Sequence, residues 1–467
     1  MRFAVRLLTL AAAIAILAAA PPPDPLAGLA AANGHAAAMH LRAAGRRVVE
    51  GRTVTTVVDQ LGVQRLLRRC INEVCGGTWF DGSREWTYGL NEVLLPEETD
   101  EATLIERSLA AIASYAFAEP GFRGGGGTVV SDGPDRWRVR ARDGAELVAI
   151  LDPATHALRR VETSASRGVA SYGRDTRAGG ASFALDRRGP LEAGTLDEVA
   201  VVPGPIGVPA GAVPTISAGA PLELGADPIP IVPCTLGGRS ARCMLDSGAT
   251  PSAMTLAFAE ALKLEPHGEM EIVGLGRFAT GFVEAGPLEL GPAHFERARF
   301  AVVPQTSAAR FDVVVGSDLL GRVRLVLDRT ARTARILPSG GAAPAGTAVR
   351  VTFASGSPIV QARFGPQGAH ALLDTGDQSI LSFGYATYRQ GPQWPVVSRG
   401  QALGIGGGAD DILTVDVPEV QIGALELGPT RATVRRTQSV AHVGIGLWDR
   451  FVIDLDEAAG RLSFSPR

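Results

Sequence analysis

At 467 residues the chain is longer than one ordinary hydrophobic core holds, and roughly two to four compact units are expected. Its 46% hydrophobic and 20% charged residues exclude a disordered chain, and a formal net charge of −3 without a basic run gives no electrostatic case for nucleic acid or an anionic membrane.

The first residues carry Arg2 and Arg6 ahead of an apolar run from Leu7 to Ala20. That run suits the apolar core of a signal peptide and is short for a helix spanning a bilayer. Ala18 and Ala20 form a small-x-small site, but Pro21 comes directly after and is a poor neighbour for cleavage, so the cut is expected later, near Ala30. Residues 1–30 are therefore assigned to a signal peptide. The processed chain is placed in the periplasm or outside the cell, with no membrane span; a retained N-terminal anchor is the alternative.

Residues 31–200 alternate period-two runs with turn signals: "VVEGRTVTTVV", "RLLRRC", "GTWFDG", "REWTYG" and "RWRVRARDGAELVAILDPATHALRRVE". Asp143-Gly144 and Asp152-Pro153 punctuate them, which predicts a meandering antiparallel sheet. Ile105, Leu109, Ile112 and Ala116 recur at helical spacing after Thr99 and Asp100, which can cap, so one helix is expected to pack on that sheet. The strand order vaguely resembles the half-barrel of periplasmic lipoprotein-carrier proteins.

The four cysteines fall as two close pairs, Cys70 with Cys75 and Cys234 with Cys243. Neither pair has the two-residue spacing of a zinc ribbon, and in an exported protein local disulfides are the natural reading, with buried free thiols the alternative. If "PCTLGGRSARC" turns at Gly238 and Arg239, Cys234 and Cys243 fall on directly opposed positions. His35 and His40 make a poor metal site on their own, and neither a metal nor a cofactor is expected.

The stretch "VVPGPIGVPAGAVP" holds Pro203, Pro205, Pro209 and Pro214 and cannot form a central strand, so 201–225 is assigned to a linker. The rest of the chain, from 226 onward, is a repeat. "PIVPCTLGGRSARCMLDSGA" from Pro230 and "PIVQARFGPQGAHALLDTGD" from Pro358 align without a gap, bringing Asp246 into register with Asp374 and Gly316 with Gly444. Present twice only, the unit is a duplicated lobe rather than a solenoid, spanning 226–340 and 346–467.

In each lobe an apolar strand ends in Asp-Ser/Thr-Gly, and an apolar pair followed by glycine comes about 70 residues later. "LDSGA" with "VVVGSDLL", and "LLDTGD" with "HVGIGLWD", resemble the two lobes of pepsin-like and retroviral-type aspartic proteases. The resemblance implies a mainly β fold: a bilobal β-barrel module, preceded here by the antiparallel β-rich domain with its one helix. Both lobes lie in one chain, so a monomer suffices for a complete site.

By that resemblance Asp246 and Asp374 are the catalytic candidates. Two carboxyl groups about 3 Å apart cannot both ionise, so they share a proton and can supply both an activated water and an acid for amide hydrolysis. Ser247 and Thr375 would hydrogen-bond across the lobes, with Gly248 and Gly376 permitting a tight turn and Ala249 supplying the small residue usual after that glycine. Asp377 stands where the second lobe would have such a residue. It cannot donate a hydrogen bond when ionised, its charge would raise the proton affinity of the pair, and it is expected to point outward and cap the turn after it. Hairpins around Gly274, Gly276 and Phe278, and around Gly404 and Gly406, would serve as flaps over an extended polypeptide substrate. "GIGGGAD" has phosphate-loop-like glycines, but no helix pattern comes after them. The function implied is an exported aspartic endopeptidase. The alternatives are a catalytically silent peptide- or lipoprotein-binding module, and an envelope carrier of apolar ligands acting through the N-terminal domain.

Overall fold

The computed structural model of the protein describes residues 24–97, 101–163, 168–189, 192, 194–274, 276–304, 310–342, 345–354, 356–404 and 409–467. The apolar run Leu7 to Ala20, the capping candidates Thr99 and Asp100, and Gly406 lie outside the described residues. None of the described helices is long and apolar enough to cross a membrane.

A helix at Pro25–Ala32 opens the described chain. Asp24 caps it by accepting a hydrogen bond from the Leu26 amide at 3.0 Å, Pro25 stands where no amide donor is needed, and Leu26, Leu29 and Ala30 are buried. The boundary expected near Ala30 falls inside this packed helix.

The N-terminal region forms two seven-stranded antiparallel sheets in near-sequential order. The first runs from Leu41–Val49 through Leu95–Pro96 and gains Glu198–Val201 beside its first strand; the second runs from Thr128–Ser131 through Gly194–Thr195. The meander is thus two sheets rather than one. The expected helix spans Glu101–Ala113 and buries Leu109 and Ile112 completely. It stops short of Ala116 because Tyr115 takes a left-handed conformation, with φ 59°. Arg65 on the first sheet reaches Glu106 on this helix at 3.3 Å and Glu192 at 3.6 Å. Pro25–Ala32 and Pro120–Gly124 are additional helices, too short to show a hydrophobic period in the sequence.

The proline-rich run Pro203 to Pro214 contains no strand, since proline has no amide to give a ladder. The segment assigned to a linker is nevertheless tied down at its end: Thr215–Ile216 pairs with Ala293–Phe295, and Leu222–Glu223 with Thr333–Pro338.

The duplicated part has a ten-stranded sheet, an eight-stranded sheet and a six-stranded sheet shared between the copies. In the ten-stranded sheet the strand Arg239–Asp246 lies parallel to Val313–Gly316, with Asp246 beside Gly316. In the eight-stranded sheet Gln367–Asp374 lies parallel to Ala441–Gly444, with Asp374 beside Gly444. The shared sheet joins the halves where Val323–Asp328 pairs antiparallel with Phe451–Asp456 and Arg324 forks onto Asp454 at 2.8 and 2.6 Å. One continuous core runs through both halves and takes in Val93 and Leu95 from the N-terminal region.

Both disulfides are formed. Cys70 and Cys75 stand directly opposite in their hairpin. The register inferred for the second pair is corrected: the hairpin turns at Gly237-Gly238, both at positive φ (60° and 75°), and not at Gly238 and Arg239. Two successive glycines can adopt the twist that a two-residue hairpin turn needs, which Gly-Arg cannot match. Leu236 consequently faces Arg239, Cys234 faces Ala241 and Cys243 faces Val232, so this disulfide runs diagonally with its Cα atoms 5.9 Å apart.

Candidate active site

Two apolar strands deliver Asp246 and Asp374 to the junction of the halves. Leu245 and Leu373 immediately before them are buried, which fixes where each strand ends, and the Asp-Ser/Thr-Gly turns then face each other. The Asp246 and Asp374 carboxyl groups lie close enough that each acts directly on the other's proton affinity.

Four hydrogen bonds lock the two turns together. The Ser247 amide donates to Thr375 Oγ1 at 2.9 Å and the Thr375 amide to Ser247 Oγ at 3.1 Å. Each hydroxyl in turn donates to a carbonyl of the opposite strand, Ser247 Oγ to Leu373 at 2.8 Å and Thr375 Oγ1 to Leu245 at 2.7 Å. Both residues are buried, so this network is shielded from competing water.

The glycines are required by close approach. A Cβ at Gly248 would lie 2.5 Å from Asp374 Cγ, and one at Gly376 would lie 2.5 Å from Asp246 Oδ2. Their amides point at the carboxylates: Gly248 donates to Asp246 Oδ1 at 3.0 Å, and Gly376 and Asp377 donate to Asp374 Oδ1 at 2.9 and 3.0 Å. Ala249 accepts from the Ser317 amide at 2.9 Å and packs beside the apolar patch of Ile231, Met244, Val314 and their neighbours.

Asp377 departs from the expectation. It does cap the turn after it, accepting from the Ser379 amide at 3.0 Å and from its hydroxyl at 2.7 Å, but it points inward and is only 4% exposed. Arg435, 2.9 Å away, balances its charge, and Ser382 Oγ donates to it at 2.7 Å. An inward carboxylate is tolerated here because a cation arrives from a neighbouring strand.

The two carboxyl groups are not equivalent. Burial, and then the charge of Asp374, push Asp246 well above the ordinary carboxylate range. Burial also works against ionisation of Asp374, but the hydrogen bond and charge of His442, together with the contacts from Asp246 and the Gly376 amide, bring Asp374 below that range. His442 Nδ1 lies 3.0 Å from Asp374 Oδ2 and 3.7 Å from Asp377 Oδ2. Among the described residues, Asp374, Asp377 and His442 are also a group whose donor atoms converge, within 4.8 Å, as ligands of a cation would. Asp246 and Arg435 already engage those carboxylates, which favours a hydrogen-bonded arrangement over a metal-bridged one.

Behind the first turn, Asp318 accepts from the Ser252 amide at 2.9 Å and its hydroxyl at 2.5 Å, and Ser252 Oγ accepts from the Gly316 amide at 2.9 Å. Asn91 of the N-terminal region completes this chain by donating to Asp318 Oδ2 at 2.7 Å. His442, Arg435, Ser252, Asp318 and Asn91 were not singled out from the sequence. For His442 a signal existed: aligning the repeats puts a histidine where the first copy has Val314.

The hairpin of His267–Gly274 and Gly276–Ala285 closes with Gly274 opposite Gly276, and Phe278 packs with Met270 and Ile272 against the apolar patch that Ala249 also touches. In the second copy Gly404 comes just after the strand Val396–Leu403. A cleft of about 520 Å³ lies between Leu67, Arg69 and Val74 of the N-terminal sheet and Thr250, Pro251 and Met270 of the first lobe. The N-terminal region therefore forms one wall next to the first turn.

No curated protein matches the chain. Residues 232–319, from the strand before Asp246 to just past Gly316, match a family model described as aspartyl protease.

Proposed function

We propose that the chain is an exported aspartic endopeptidase that hydrolyses peptide bonds in extended polypeptide. The carrying observation is that Asp246, buried, and Asp374, partly buried, meet on equivalent turns of the two lobes, which Ser247 and Thr375 lock together by hydrogen bonds. The match of residues 232–319 to the aspartyl protease model supports the same reading. Export is inferred from the apolar N-terminal run and agrees with two disulfides.

The ionised carboxyl takes a proton from water as the water oxygen attacks the scissile carbonyl, and the protonated carboxyl gives its proton to the carbonyl oxygen. The resulting gem-diol collapses when the proton taken from water passes to the amide nitrogen, the C–N bond breaks, and one diol hydroxyl returns its proton to the carboxyl that had protonated the carbonyl oxygen, restoring the singly protonated pair. Substrate lies extended beside the hairpin that carries Phe278, with the N-terminal wall flanking one side. Both lobes being in one chain, a monomer carries the complete dyad.

The test is cleavage of an unfolded protein across the acid range by wild type, Asp246→Asn and Asp374→Asn. General acid and base catalysis are each worth about 100-fold or more, so both variants are expected to lose at least that. Turnover in wild type no greater than in either variant would overturn the endopeptidase reading, and peptide retention without turnover in all three would identify a silent binding module.

A further inference from the structure

The dyad of a duplicated fold is nearly symmetric, and backbone geometry alone does not say which carboxyl carries the shared proton. The side chains here break that symmetry, and one of the breaks touches a dyad carboxyl directly. His442 pairs with Leu372 on the strand leading to Asp374 and with Ser382 on the other side; Val314 occupies the matching place in the first copy, pairing with Met244. Where the first lobe presents an isopropyl group, the second presents a nitrogen 3.0 Å from Asp374 Oδ2.

The charged groups facing His442 come from three directions. Asp374 lies at the end of the parallel neighbour, Asp377 in the turn after it at 3.7 Å, and Arg435 reaches Asp377 from the strand Leu425–Arg435. Arg435 engages Asp377 Oδ1 at 2.9 Å while Ser382 donates to Oδ2 at 2.7 Å. Asp377 is thereby satisfied by its own partners, and the short contact of His442 goes to Asp374. Across the lobes, no such cation is paired with Asp246 among the described residues; Gly248 donates to one of its oxygens at 3.0 Å.

We propose that His442 is a positioning residue that assigns the two roles of the dyad: by donating its Nδ1 proton to Asp374 Oδ2 it holds Asp374 as the carboxylate that accepts the proton from water, leaving Asp246 as the acid that protonates the carbonyl oxygen. The catalytic consequence rests on the endopeptidase reading, while the assignment of the proton does not. A hydrogen-bond donor held at Asp374 Oδ2 stabilises the singly protonated dyad against the doubly protonated one, so the acid limb of the pH profile lies lower than it would without it.

Two variants test this. His442→Val installs the residue that the first lobe carries at the matching position, and His442→Asn retains a donor while removing the titratable charge. The readouts are the pH dependence of kcat and the titration of the Asp246 and Asp374 carboxyl carbons followed by carbon-13 NMR, assigned with Asp246→Asn and Asp374→Asn. In His442→Val the Asp374 carboxyl should titrate about one pH unit or more higher, with the acid limb of kcat moving by the same amount. His442→Asn should fall between it and wild type. Titration curves of Asp374 that coincide in wild type and both variants would overturn the assignment, whatever the activity. If the Asp374 carboxyl moves as expected in a protein that shows no dyad-dependent turnover, the assignment stands and the endopeptidase reading falls.

Discussion

Gly376 leaves no room for a side chain between itself and the Asp246 carboxyl, and Gly248 leaves none beside Asp374, so that each turn is shaped to the acid of the other lobe. Replacing either glycine by alanine would put a methyl group 2.5 Å from the facing carboxyl and force the lobes apart. Gly248→Ala and Gly376→Ala should each lower kcat/KM by about 100-fold, the scale expected when catalytic groups are displaced by an ångström. Rates within a factor of about two of wild type would show that the turns do not need this closeness.

Asn91 ties the N-terminal region to the Asp246 turn through Asp318, Ser252 and Gly316. Asn91→Ala removes a buried hydrogen bond to a carboxyl group, at a cost of about 1.5–3 kcal/mol. The expected result is a lower unfolding midpoint and reduced turnover, with substrate KM less affected than kcat. An unchanged kcat with a lowered midpoint would reduce Asn91 to a purely stabilising contact.

Burial pushes the Glu457 carboxyl from the ordinary value of 4.5 up to about 8, against the hydrogen bond from Ser317 and with Asp318 and Asp456 adding to the rise. Between those values the folded chain keeps a proton that the unfolded chain releases. Stability therefore falls as pH rises through that window, by up to about 1.4 kcal/mol per pH unit from this group. Glu457→Gln should flatten the decline, read as denaturation midpoints between about pH 5 and pH 8. Parallel profiles for the variant and wild type would contradict it.

The second lobe has Ala362 and Ala371 where the first has Cys234 and Cys243, in a hairpin of the same register. Cys234→Ala with Cys243→Ala should therefore be accommodated by the fold and lose only the constraint on the unfolded chain. For a loop this short that is about 2.5 kcal/mol on the chain-entropy model, seen as a lower denaturation midpoint with activity retained under mild conditions. Loss of all activity would give the bridge a role in holding the Asp246 strand in place.

The meeting of the two Asp-Ser/Thr-Gly turns was legible because the motif occurs twice in register: "LDSG" and "LLDTG" name the same structural position, and a repeat turns two weak signals into one strong one. The helix carrying Leu109 and Ile112 was legible from its period. The Gly237-Gly238 turn was misjudged because sequence alone does not say which two residues of "LGGRS" take positive φ, and a one-residue shift in the turn moves the register by two. The inward orientation of Asp377 depends on Arg435 arriving from another strand, a pairing no local pattern encodes. Asn91 meets Asp318 across 227 positions, so the involvement of the N-terminal region in the Asp246 turn was invisible to any reading by segments.

The six-stranded sheet that pairs Val323–Asp328 with Phe451–Asp456 does more than hold two similar lobes together. In an assembly of two identical chains, every substitution appears on both sides of the axis, so a histidine introduced beside one acid would also stand beside the other. Fusing the copies removes that constraint. Val314 and His442, Ala249 and Asp377, and the bridge of the first hairpin against Ala362 and Ala371 of the second are three places where the halves differ. The fused sheet gives each side of the cleft its own evolutionary path, and a substrate entering it meets two surfaces that differ.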